Sequence, residues 1–221
     1  MQQRKGYGNA QFRQKNNHMS NIYRKEKDTI MNTNQNAENT TLTTILAEIS
    51  RVLSHIPEDD LEITAKRLEQ APRIFVIGEG RSGLMARAFA MRLMHLGAVS
   101  YVIGETITPA IAEGDVLVAI SGSGRTHHVV WTAEKAKAQG VYVQAITTNP
   151  DGELAKTADA ALIIPAATKF RREGEAPSIQ PLGSLFDQSA HLVFDAICLK
   201  YAEAKQVSQK TAFQKHSNLE S

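Results

Sequence analysis

Two short runs of small polar residues carry the chemistry available to this chain. One is SGSGRT (Ser121–Thr126), directly after the apolar run VLVAI; the other is GEGRSG (Gly78–Gly83), directly after IFVI. In the first, Ser121, Ser123 and Thr126 stand at i, i+2 and i+5. At the amino end of a helix, that spacing can aim three hydroxyls and several backbone N–H groups at one anion. The glycines allow the backbone to close around it. A phosphomonoester has three terminal oxygens and suits this many short donors. A plain turn with a helix cap explains one hydroxyl, not three.

The second run also satisfies G-x-G-x-x-G between a strand and a helix, and Glu105 stands 22 positions after Gly83, near where a ribose-binding acid would lie. A nicotinamide-dependent oxidoreductase is therefore a rival. Two residues count against it. Ser82 puts a hydroxyl where a dinucleotide loop needs only backbone, and Arg81 adds a cation. With a second hydroxyl-rich loop after another strand, the phosphate reading is preferred.

Other reactive residue types offer less. The single cysteine, Cys198, lies in the apolar run HLVFDAICLKY and reads as a small buried hydrophobe; one cysteine excludes an internal disulfide framework and fits a reducing cytoplasm. His127 and His128 are adjacent rather than four apart, and no Cys/His set has metal-ligand spacing, so no metal is expected. His95 and His191 sit in apolar helical patterns and read as core or helix-surface residues.

The elements that must position the two loops follow from periodicity. Leu42, Ile45, Leu46, Ile49, Val52, Leu53 and Ile56 recur at helical spacing up to Pro57, and EDDLEITAKRLEQA opens a second amphipathic helix with acids in its first turn. Strands are expected at 73–77, 99–103, 116–120, 142–147 and 160–164. Helices are expected at 83–96, 126–139, 151–158, 183–203 and 208–215. Short continuous apolar strands alternating with helices imply an α/β fold with a parallel sheet covered on both faces. Ligands in such sheets bind at the carboxyl ends of strands, where both loops fall. Residues 165–182 form one long aperiodic connection, either a binding loop or a plain surface excursion.

Composition agrees with this class. At 221 residues, 42% hydrophobic and 22% charged, the chain suits one soluble α/β domain without disulfide or metal support. No apolar run approaches the ~20 residues of a membrane span. The basicity is local: residues 1–36 carry seven Lys or Arg against two acids, or +5, leaving −3 for the rest of a chain of net charge +2. This Asn- and Gln-rich segment has no apolar period and is expected to be a disordered extension over 1–37, ahead of one domain over 38–221. A nucleic-acid arm is the less favoured reading of it, and Met31 is the expected translation start.

SGSGRT, together with GRSGLMARAFAMRLMHLG, VIGETITPAIAEGD, SIQPLGSLFDQ and the terminal HSNLE, resembles the 6-phospho-3-hexuloisomerases, a family built on the sugar isomerase (SIS) domain. The resemblance runs from about Leu42 to Glu220. It implies a single SIS domain with a doubly wound, flavodoxin-like sheet of five parallel strands and two leading helices. It also implies interconversion of D-arabino-hex-3-ulose 6-phosphate and fructose 6-phosphate through an enediol, without metal or redox cofactor. The phosphate would be held by Arg81, Ser82, Ser121, Ser123 and Thr126. The family pattern puts the base at the acid after Phe in PLGSLFDQ, which here is Asp187 where relatives have Glu; Glu105 is the alternative, and a first-turn acid balancing a helix dipole is the plain reading of Asp187. His216 is implied as a proton carrier acting in its own or a neighbouring subunit. A cytoplasmic homotetramer in formaldehyde fixation is implied as well, served by a 3-hexulose-6-phosphate synthase, with no membrane or nucleic-acid partner. A non-catalytic sugar-phosphate-binding SIS module is the second reading.

Overall fold

The computed structural model describes residues 40–173 and 175–219. The expected basic extension over 1–37 lies outside the described residues. Backbone contacts divide the chain into Met1–Thr44 and Ile45–Ser221, and the second unit holds the sheet.

The elements in chain order are α1 (Thr41–Leu53), α2 (Glu58–Gln70), β1 (Ile74–Gly78), α3 (Gly80–His95), β2 (Ser100–Val102) and β3 (Val116–Ile120). They continue with α4 (His127–Lys137), β4 (Tyr142–Thr147), α5 (Glu153–Thr157), β5 (Ala160–Ile163), α6 (Ser184–Ala204) and α7 (Gln209–Phe213). All five strands are parallel, in the order β2-β1-β3-β4-β5. This is the doubly wound, flavodoxin-like order expected, and its strand order reverses between β1 and β3. Among the described residues no helix is long and apolar enough to cross a membrane.

Each strand is apolar on both sides because each side has a core to enter. On β1, Ile74 and Val76 join one cluster while Phe75 and Ile77 join the other. β3 splits likewise: Val116, Val118 and Ile120 go one way, Leu117 and Ala119 the other. That period of two packs the first set against α2, α3 and α6 and the second against α4 and α5. At the amino ends of β1 and β3, Arg73 Nε and Nη2 grip both oxygens of buried Asp115, whose Oδ2 also accepts from Ala112 N–H.

Two details differ from expectation. α3 begins at Gly80 rather than 83, because Gly83 N–H already bonds to Glu79 C=O at 3.2 Å. Arg81 and Ser82 therefore sit in a helical first turn and not in a free loop. The connection over 165–182 is tied down rather than a surface excursion. Buried Glu48 on α1 accepts from Ser178 Oγ (2.7 Å), Ile179 N–H (2.7 Å) and Gln180 Nε2 (3.0 Å). Glu175 accepts from Thr168 N–H and Oγ1, both at 2.8 Å.

Candidate active site

β1 and β3 pair in register up to Gly78↔Ile120, so their loops leave the sheet side by side. On the first side the turn is tight. A Cβ on Gly83 would lie 2.5 Å from Gly78 C=O, so only glycine lets the start of α3 rest on the strand end. That contact sets the direction in which Arg81 and Ser82 project.

On the second side the three expected hydroxyls converge. Ser121 Oγ lies 2.8 Å from Thr126 Oγ1 and 3.4 Å from Ser123 Oγ, and Ser123 Oγ accepts from Arg125 N–H at 3.2 Å. Ser121 is buried beneath the other two. Thr126 immediately precedes α4, so the cluster sits at a helix amino terminus where the dipole favours an anion.

The first turn of α6 closes the site. Ser82 Oγ donates to Asp187 Oδ1 at 2.7 Å, across 105 residues of chain. Arg81 Nη1 donates to Ser184 Oγ at 2.9 Å, and its Nε lies 3.9 Å from Asp187 Oδ2. Asp187 is only 6% exposed. Burial pushes its carboxyl above the usual Asp value, against the opposing pull of the Ser82 hydroxyl and the Arg81 charge. Behind it, the Phe186 ring stands where a Cβ on Gly122 would be 2.9 Å away. That glycine permits the loop after β3 and α6 to meet.

These groups surround a cavity of about 550 Å³ lined by Glu79, Arg81, Ser82, Ser123, Thr126 and Asp187, among others. The volume suits a small phosphorylated ligand. Lys169 and Phe170 also reach its wall, and Arg172 Nη2 donates to Ser123 C=O at 3.0 Å. Neither these three nor Glu79 was singled out by motif; their only signal was the length and charge of the connection and the acid inside GEGRSG.

Of the predicted site residues, Arg81, Ser82, Ser121, Ser123, Thr126 and Asp187 are brought together. Glu105 is not: it pairs with Arg87, largely in solvent, and does not line the cavity. His216 lies elsewhere, its ring stacked on His95 at 5.2 Å between centroids, beside a second cavity that excludes Asp187. Cys198 is buried and its thiol is pushed up to about 12, chiefly by burial, as befits a core residue.

Known proteins are similar to this chain in sequence and fold. The SIS domain model matches residues 67–192, from α2 into α6, which includes both Ser/Gly loops and Asp187. The chain belongs to the SIS domain family. Within it, the chain is 42% identical to a 3-hexulose-6-phosphate isomerase of Bacillus subtilis, over 80% of this chain and 95% of that protein. It is equally 42% identical to the 3-hexulose-6-phosphate isomerase of Mycobacterium gastri, covering 81% and 89% of the two chains. A Methanococcus jannaschii crystal structure, from which a 3-hexulose-6-phosphate isomerase function was inferred, superposes with a TM-score of 0.71 at 31% identity, over 81% of this chain and 98% of that one. The resemblance expected from the motifs is thus borne out, for this SIS domain as a whole and for the 6-phospho-3-hexuloisomerase group within it.

Proposed function

We propose that this chain is a 3-hexulose-6-phosphate isomerase, interconverting D-arabino-hex-3-ulose 6-phosphate and fructose 6-phosphate. The Ser82–Asp187 bond is the observation that carries the reading: it joins the phosphate-loop wall to a buried carboxylate in one cavity. The relatives' names and coverage supply the substrate.

The phosphate docks on Ser123 and Thr126, backed by Ser121, at the start of α4, with Ser82 and Arg81 on the facing helix terminus. That docking spends the anion's charge on fixed dipoles and places the sugar carbons toward α6. Asp187 is the base. Its environment disfavours the charged form, so it takes a proton more readily than a solvated Asp would. It removes the hydrogen from carbon 2, and the enediol is reprotonated at carbon 3. A 3-ulose phosphorylated at its terminal oxygen cannot close a five- or six-membered ring at the ketone, so this direction starts from the open chain. No redox cofactor or metal enters the chemistry.

His216 takes part from a neighbouring subunit, since within one chain it lies with His95 and apart from Asp187. Half-exposed Met91, Met94 and Leu84 on α3 offer apolar surface for the homotetramer that this requires. The enzyme works in the cytoplasm, downstream of a 3-hexulose-6-phosphate synthase in formaldehyde fixation.

The test couples the protein to that synthase with formaldehyde and ribulose 5-phosphate and follows fructose 6-phosphate. Turnover that is lost in Asp187→Asn with substrate binding retained supports the reading. Sugar-phosphate binding without turnover by the unmodified protein would make it a sensing module instead.

A further inference from the structure

Moving a ketone between neighbouring carbons shifts protons on oxygens as well as on carbons. One carboxylate can take the proton from carbon 2 and return it to carbon 3. The carbon-3 oxygen must meanwhile gain a proton and the carbon-2 hydroxyl must lose one. A second proton carrier is needed on that side. Among the described residues, the titratable groups lining the cavity are Glu79, Arg81, Lys169 and Asp187. Guanidinium does not give up its proton in this range, which leaves Glu79 and Lys169 besides the base within one chain, His216 from a neighbouring subunit serving the ring opening of fructose 6-phosphate in the reverse direction.

Glu79 holds the better position. It immediately precedes α3, three residues before the Ser82 that donates to Asp187, so both carboxylates belong to one wall. Its Oε1 lies 2.6 Å from His128 Nδ1, a short hydrogen-bonded contact between the β1 loop and the first turn of α4. Both side chains of the pair are half-exposed, so each meets solvent. The pair thus forms a hydrogen-bonded route along which a proton can pass between cavity and water. Lys169 stands on the exposed connection, with its ammonium over the Phe170 ring at 5.1 Å.

We propose that Glu79 is the oxygen-side acid–base group of this isomerase, with His128 as the residue that positions it and exchanges its proton with solvent. The inference rests on the isomerase reading above. In the first half, Asp187 takes the carbon-2 proton, the C–H pair becomes the C2=C3 bond, and the carbon-3 carbonyl pair takes a proton from protonated Glu79. In the second half, the Glu79 carboxylate takes the carbon-2 hydroxyl proton, and that O–H pair becomes the new carbonyl bond. The C2=C3 pair then takes the proton from Asp187 at carbon 3. Both carboxyl groups end as they began, and no electron leaves the substrate.

The charged groups around the pair are Arg81 on the same helix, Arg125 and His127 flanking His128 in the chain, and Lys169 and Asp187 on the cavity wall. Lys135 stands 5.7 Å above the ring of Trp131. Trp131 is the single tryptophan and lies 6.5 Å from His128 between ring centroids, so its emission reports on the pair.

The experiment compares unmodified protein, Glu79→Gln, His128→Gln and Lys169→Met. It measures coupled turnover across pH, binding of fructose 6-phosphate by thermal shift, and Trp131 emission with and without fructose 6-phosphate. Glu79→Gln is expected to lose about 10²- to 10³-fold in kcat with KM nearly unchanged, and one limb of its pH profile. The emission response to fructose 6-phosphate is expected to vanish in His128→Gln while binding persists. Full kcat and an unchanged pH profile in Glu79→Gln would overturn the assignment while the isomerase reading stood. Loss in Lys169→Met alone would move the role to the lysine. An unmodified protein that makes no fructose 6-phosphate would remove the isomerase reading and this role with it.

Discussion

Ser82 Oγ and Asp187 Oδ1 share a 2.7 Å hydrogen bond, and through it a hydroxyl of the first Ser/Gly loop tunes the proton affinity of the buried carboxylate. The hydroxyl stabilises the charged carboxylate against the burial that disfavours it. Removing it in Ser82→Ala leaves burial less opposed, so the carboxyl rises further. The acid limb of the kcat/KM profile is expected to move to higher pH, with weaker phosphate binding. A profile unmoved by the substitution would show that Asp187 does not titrate in turnover.

Asp187→Asn separates activity from stability. Turnover should fall by about 10²- to 10⁴-fold. The folded state raises this carboxyl, so it holds its proton more tightly than the unfolded chain does. Its contribution to stability is therefore greatest at low pH and declines as pH rises from the unfolded value through the raised one. At neutral pH the neutral amide avoids that loss. Tm by calorimetry is expected to equal or exceed that of the unmodified protein at pH 7, and the gap should close below pH ~4. Glu105→Gln, which touches only the exposed pair with Arg87, should leave kcat and Tm nearly unchanged.

Glu48 makes the opposite pH prediction. Burial alone would push its carboxyl up, but bonds from Gln180, Ser178 and Ile179 N–H, with Arg51 nearby, outweigh it and hold it below the usual Glu value. Its stabilising effect is present above the unfolded value near ~4.3 and is lost as pH falls through the lowered one. Glu48→Ala strands three donors and is expected to cost about 1–3 kcal/mol at pH 7. Proteolysis should then find the connection over 165–182 first, and the difference from unmodified protein should narrow in acid.

Gly122→Ala tests the contact between the phosphate loop and α6. Its Cβ would press into the Phe186 ring at 2.9 Å, one residue from Asp187. A cost of about 1–3 kcal/mol is expected, with kcat falling more than binding. Phe186→Leu in the same chain should restore part of both losses, and absence of any rescue would place the strain elsewhere.

Much of this was legible in the residues alone. Strands such as IFVI and VLVAI are uninterrupted apolar runs with glycine or polar ends, so each strand falls within about two residues of its expected bounds. The three hydroxyls of SGSGRT converge because a strand-to-helix turn leaves them few other directions. The start of α3 was misplaced because GRSG reads as loop by propensity, whereas the contact of Gly83 with Gly78 lets the helix begin on the strand end. The Ser82–Asp187 and Glu79–His128 contacts join segments 105 and 49 residues apart, and no local period encodes such pairs. Glu105 looked suitable by spacing, but the turn after β2 carries it outward to Arg87. The connection over 165–182 lacks any period because side-chain anchors rather than backbone ladders hold it.

The grip of Arg73 on Asp115 lies at the amino ends of β1 and β3, a full strand length from the candidate site. The same two strands are thus clamped at one end and carry the candidate site at the other. Substitutions that retune the ligand at the carboxyl ends leave that clamp intact, and a loosened clamp would lower yield and lifetime before it altered catalysis. Such a division lets one scaffold drift in specificity while its frame is held to a separate and stricter standard.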